Sequence, residues 1–171
     1  MKKEEHQSLG YEFDFVGGTS NSYVFQTLHD VFYEVNFKPF FYFFNSDSIY
    51  SESTFEFGII VLERPLLKLP SQDALIPITI AAIFTDFFDK IEQPSVVYIC
   101  DSSDSKQLAR QRKFNSWFSD FKQPNFFKIE GKLVDKNGEI IPSSLILKFN
   151  NPYFDQIIEE FQLIVEGYNI K

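Results

Sequence analysis

Apolar residues in this chain change their spacing once, near residue 75, and that change limits the folds open to it. Tyr11, Phe13 and Phe15 alternate with Glu12 and Asp14, and Val31, Tyr33, Val35 and Phe37 recur at every second position. A period of two puts such side chains on one face of a strand. Later the spacing lengthens. Ile76, Ile80, Ile83, Phe84, Phe87, Phe88 and Ile91 follow the i, i+4, i+7, i+8 rhythm of a helix with one buried stripe.

The period-two region predicts an N-terminal β-meander. A first strand ends at Gly17-Gly18, and residues 23–28 and 31–37 pair as antiparallel strands around His29-Asp30. Residues 40–44, after Pro39, extend or follow that ribbon. Residues 55–62 form a further strand, stopped by Arg64-Pro65 because a residue before proline favours extended geometry.

The rest of the chain predicts about three helices, a central strand and a hairpin. The first helix spans 75–92, with Asp73 or Ser71 as its cap and Pro77 in its first turn. Residues 96–100 are an uninterrupted apolar run, the pattern of a strand covered on both faces. A second helix spans 105–121. Residues 126–149 form a hairpin around Asn137-Gly138, with Pro142 placing the returning strand at an edge or bulge. The third helix spans 152–168, capped by Asn151 with Pro152 in its first turn. Strands first, then helix–strand–helix, then hairpin–helix: this order predicts an α+β fold. The expected sheet is mostly antiparallel with its helices on one side. Residues 1–10 are expected to be disordered, and residues 11–171 to form a single domain.

Composition narrows the function classes. The chain has 171 residues, 22 of them Phe, and each buried ring removes about 150–250 Å² from water. Aromatic packing should therefore dominate the core, which accounts for the phenylalanines more simply than a ligand cage does. The one cysteine, Cys100, allows no internal disulfide and no Cys-based zinc site. The polar N-terminus has no apolar stretch behind it, and the apolar run at 75–84 is too short for a bilayer that needs ~20 residues. These features predict a cytoplasmic protein without a membrane. A net charge of −8 disfavours nucleic acid as a whole-surface partner.

Polar chemistry concentrates between Cys100 and Phe114. With Phe114 as the zero of angle, Trp117, Phe118 and Phe121 lie within about 60° of it and mark a buried face. Gln107, near about 20°, and Arg110, near about 320°, fall on that face, whereas Arg112 near about 160° points away. Lys106 and Lys113 flank the stripe. Arg110 is therefore expected to enter the protein, where a guanidinium needs carboxylate or carbonyl partners. Asp101 and Asp104 are the nearest, and Asp104, Ser103 or Ser102 is expected to cap the helix. Two of the chain's three arginines lie here, and arginine is preferred where a planar bidentate contact is required. The reading is a clasp that fixes the turn. The alternative is a binding site made by Asp101, Ser102, Asp104, Lys106, Arg110, Arg112 and Lys113. The serines lack a histidine partner, His6 and His29 are remote, and no phosphate-binding glycine loop is present. No catalytic residue, cofactor or metal is predicted.

The string YICDSSDSKQLARQRKFNSWF, after YVFQTLHDVFYEVNFKPF, resembles an uncharacterised family of small Bacteroidota proteins, a domain of unknown function with a DSSD…R.RKF..WF motif. The resemblance covers most of residues 11–121 and brings no activity with it. It implies a gene of the kind associated with bacterial conflict or toxin–antitoxin systems. The residues themselves favour a non-enzymatic module that binds a protein partner or a second copy. An RNA-acting, nuclease-like toxin using residues 101–113 is the alternative, and a small-ligand sensor a further one.

Overall fold

A computed structural model describes residues 9–65, 72–101, 103–120 and 124–167. The period-two region folds as β1 (Phe13–Gly17), β2 (Ser22–Gln26), β3 (Phe32–Pro39) and β4 (Thr54–Glu63). After it come α1 (Leu75–Lys90), β5 (Ser95–Ile99), α2 (Gln107–Asp120), β6 (Phe126–Val134), β7 (Ile140–Lys148) and α3 (Phe154–Gly167). The strands form one sheet in the order β1-β2-β3-β4-β5-β7-β6. Every neighbouring pair is antiparallel except β4 and β5, which are parallel, with α1 in the connection between them. The α+β reading and the mostly antiparallel sheet hold.

The expectation that all helices share one side is corrected. Val96 belongs to an aromatic cluster with Phe84 and Phe87 of α1 and Phe114 of α2. Val97, the next residue, belongs to a second cluster with Ile157, Phe161 and Val165 of α3. Adjacent strand residues face opposite ways, so α1 and α2 cover one face and α3 the other. The reason lies in β5 and β7, where Val96, Val97, Leu145, Ile146 and Leu147 are all buried. An apolar run without alternation needs cover on both sides.

Four local expectations shift. Residues 40–44 are not a strand but a turn after β3, with Phe40 and Phe44 buried in the second cluster and Phe41 and Tyr42 exposed. Pro142 is not at an edge, because β7 lies between β5 and β6. It is tolerated there because β5 runs out beside it. Its carbonyl accepts the Cys100 N–H at 2.9 Å, so its own ring nitrogen faces the end of β5, where a missing donor breaks little of the ladder. α1 stops at Lys90, where Ile91 turns extended at φ −104°. α2 starts at Gln107 because Ser105 sits at φ 61°, a left-handed conformation that no helix continues through.

The caps follow the sequence more closely. The Asn151 side-chain carbonyl accepts the Tyr153 N–H at 2.9 Å, and Pro152 follows it as expected, although regular helix begins at Phe154. The Asp73 carboxylate accepts the Leu75 N–H at 3.0 Å, while Ala74 occupies the cap position itself. Ser71, residues 1–8 and Tyr168 lie outside the described residues. At the hairpin, Gly138 has φ 80° and Asp135 gathers the turn, its Oδ1 accepting the N–H groups of Asn137 and Glu139 at 2.8 Å each.

One close approach fixes α3 against the sheet. A Cβ on Gly131 of β6 would lie 2.5 Å from Val165 Cγ1 and 2.9 Å from Val165 Cβ. Because the Cβ of Val165 cannot rotate aside, Gly131→Ala is expected to destabilise the fold by about 1–3 kcal/mol, the usual cost of overpacking. Urea denaturation checks this; a midpoint equal to that of the native protein would show that α3 moves freely off β6.

Candidate functional site at the β5–α2 turn

Strand β5 ends in the core, and the chain must climb from there to the start of α2. Cys100 is buried, and burial pushes its thiol up from the ordinary value, so it is held as an unreactive thiol. Burial likewise raises the Tyr98 hydroxyl, whose ring lies 4.3 Å from that of Phe114. Beyond Cys100 the polar side chains fold back on their own backbone. The Asp101 carboxylate accepts the Ser103 hydroxyl at 2.6 Å and the Ser103 N–H at 3.0 Å, and these bonds hold it below the usual carboxylate range. The Asp104 Oδ1 accepts the Lys106 N–H at 3.1 Å, just ahead of the helix.

Arg110 closes the turn. Its Nη1 donates to Asp104 Oδ1 at 2.7 Å and to the Asp101 carbonyl at 2.8 Å, and its Nη2 donates to Asp104 Oδ2 at 2.5 Å. This is the parallel, two-bond geometry that distinguishes arginine from lysine. The expectation that Arg110 enters the core is corrected: its side chain is 37% exposed and that of Asp104 41%. Helical side chains lean towards the N-terminus, which carries this long one back to the loop.

The clasp sets a titration. The hydrogen bonds from Arg110 lower the Asp104 carboxyl from an ordinary 3.8 to about 2. A depressed folded value means that the stabilisation is complete above the unfolded value and disappears as pH falls from about 3.8 to about 2. An NMR titration of Asp104 should give a midpoint of about 2 in the native protein and a rise towards the ordinary value in Arg110→Ala. An unchanged midpoint in that variant would show that the clasp does not form in solution.

The remaining sequence candidates are not drawn together. Lys106, Arg112 and Lys113 are exposed, and no ion pair joins them to another described residue. Lys113 Nζ lies 5.1 Å from the centre of the Trp117 ring. Ser102 is outside the described residues. Gln107 reaches inward, as its angle on the helix predicts, and its Oε1 is buried without a partner among the described residues. No three His, Cys, Asp or Glu side chains among the described residues are grouped as metal ligands would be. No described helix is long and apolar enough to cross a membrane.

Two further surfaces lie away from the turn, and the sequence did not place their residues. One is an apolar groove between α1 and α2, closed by Phe126 of β6 and Ile146 of β7. The other is the part of the sheet that α3 leaves uncovered, since the second cluster takes no residue from β1 to β4. On β3 and β4 this face is marked by the positions alternating with buried Val35, Phe37, Phe55 and Phe57.

Residues 72–163 match the model of a family of unknown function (DUF6169), just over half of the chain. The match includes the β5–α2 turn, the C-terminal hairpin and most of α3, and it leaves the N-terminal meander outside. Comparison with curated proteins and with solved structures gives no match.

Proposed function

The chain belongs to the family of unknown function DUF6169, and from that premise we propose that it is a non-enzymatic module that binds a protein partner through the uncovered face of β1–β4. The observation that carries this reading is the apolar content of that face. Phe32, Ile60 and Leu62 are 36%, 44% and 54% exposed at one end of it. They lie opposite the aromatic side of the same strands, and Val24 of β2 adds to them. A contiguous apolar patch with a polar border is the ordinary mark of an interaction surface. Here the border is acidic. Asp14, Glu34 and Glu56 occupy the same face by strand alternation, against one cation among the described strand residues, Lys38. The partner that fits carries an apolar centre ringed by lysine or arginine.

Affinity capture from the native host, with the pair Ile60→Lys and Leu62→Lys as comparison, tests this. The expected result is a reproducible partner captured by the native protein and lost with the variant, while the thermal midpoint stays within a few degrees because both side chains are exposed. A strictly monomeric protein without a reproducible partner would overturn the reading. So would a partner that the variant retains, because it would bind elsewhere. The nuclease-like alternative gains no support at the turn: Arg110 occupies both oxygens of Asp104, and the other cations diverge around α2.

A further inference from the structure

The groove between α1 and α2 has a chemical preference that its lining alone would not give it. Its walls include Ala81 and Phe84 of α1, Trp117 and Phe118 of α2, and Phe126 of β6. Its volume is about 50 Å³. A water-sized group needs roughly 10–15 Å³, so about three to five such groups fit. That volume suits a chain of a few carbons. Three ammonium groups lie over rings that line it. Lys113 Nζ is 5.1 Å from the Trp117 ring centre, Lys128 Nζ 5.6 Å from that of Phe118, and Lys148 Nζ 5.6 Å from that of Phe126. Two of them are partly neutralised, Lys128 by Glu130 at 2.8 Å and Lys148 by Asp89 at 3.7 Å. Lys113 has no ion pair among the described residues.

On a chain of net charge −8, one ammonium group without an ion pair among the described residues thus lies over a ring of this apolar slot. We infer that this groove binds a short unbranched alkyl carboxylate, its chain between α1 and α2 and its head group on Lys113. The site shares no residue with the β1–β4 face and stands or falls independently of it. An alkyl chain drives the binding by burial, and the carboxylate supplies the preference over neutral molecules of the same length.

Trp117 is the only tryptophan and lines the groove, so its fluorescence reports occupancy directly. The full chain is titrated with straight-chain carboxylates from butanoate to decanoate, each below its micellar range, and with 1-alkanols of matched length. The expected result is a saturable change in Trp117 emission. Affinity should rise about fourfold per added methylene, the ratio that burying one methylene implies, and then level off when the groove is full. Ala81→Leu should weaken binding by about tenfold or more by occupying the slot. Lys113→Gln should weaken the carboxylates and leave the alkanols unchanged; Lys113 is exposed, so this variant keeps its fold even if Ala81→Leu does not. No saturable change in emission overturns the inference. So does affinity that climbs with chain length without levelling, or alkanol binding equal to carboxylate binding in both the native protein and Lys113→Gln.

Discussion

Replacing Phe37 by alanine is expected to destabilise the protein by about 3–5 kcal/mol, the range for truncating a fully buried aromatic residue. Phe37 has no exposed surface, and its ring stacks on that of Phe87 at 3.9 Å with 5° between the planes. Phe84, Phe57 and Tyr23 lie around it at 5.2, 5.8 and 6.1 Å. The cavity would thus open where β2, β3, β4 and α1 meet, and rings held on several sides cannot collapse into it. A domain of this size should lose roughly 2–4 °C per kcal/mol, giving a fall of about 6–20 °C in the thermal midpoint. Calorimetry with Phe41→Ala as the control checks the claim. Phe41 is 58% exposed and its loss should fall within about 0.5 kcal/mol. Similar losses for the two variants would refute the assignment of Phe37 to the centre of the core.

The second large effect is expected on the opposite face. Phe161 of α3 is also fully buried, with Val97, Leu145, Leu147 and Ile157 in the same cluster and the Phe43 ring 6.1 Å away. Phe161→Ala should cost about 3–5 kcal/mol. It should also loosen residues 43–50. Beside Phe161, the Glu160 carboxylate accepts the Asn45 N–H at 2.6 Å, the Ser48 hydroxyl at 3.1 Å and a short bond from the Tyr50 hydroxyl. Hydrogen exchange at Asn45 should therefore quicken more than exchange in β2. Both variants should still unfold in one transition, because Val96 and Val97 join the two clusters through one strand. Two resolved transitions in either variant would show that the faces are separate cooperative units.

Much of this architecture was legible because local rules and tertiary packing agree. The 3.6-residue stripe of α1, the Asn151-Pro152 start of α3 and the Gly138 turn each follow from a short stretch of chain. The covering of both sheet faces was half visible: residues 96–100 read as buried on both sides, and the Leu145–Ile146–Leu147 run carries the same signal. What no local pattern supplied was which helix serves which face, since that depends on β7 inserting between β5 and β6. Residues 40–44 misled because five aromatic residues in a row look like a strand, whereas here a turn lets Phe40 and Phe44 reach α3.

The candidate site was legible in its partners and not in its depth. Spacing brought Arg110 to Asp101 and Asp104, but a helical wheel gives the direction of Cβ and ignores the length of the side chain. A guanidinium at the end of that length turns back to the surface. The residues of the groove and of the uncovered face could not be named for a different reason. Ala81, Trp117 and Phe126 come from three separate elements, as do Val24, Phe32 and Ile60, so no stretch of sequence contains either surface.

The parallel contact between β4 and β5 has a mechanical consequence. Its register spans only residues 54–56 against 95–97, whereas β3 and β4 pair along residues 32–39 and β6 and β7 along residues 126–134. The backbone ladder is therefore weakest along that seam, close to the boundary where the family match begins. What resists its opening is ring packing beyond β4: Phe57 against Tyr98 of β5 at 5.4 Å and against Phe114 of α2 at 5.7 Å. Under a pull at right angles to the strands, the molecule would part there first. The force required would be set by phenylalanine packing more than by hydrogen bonds.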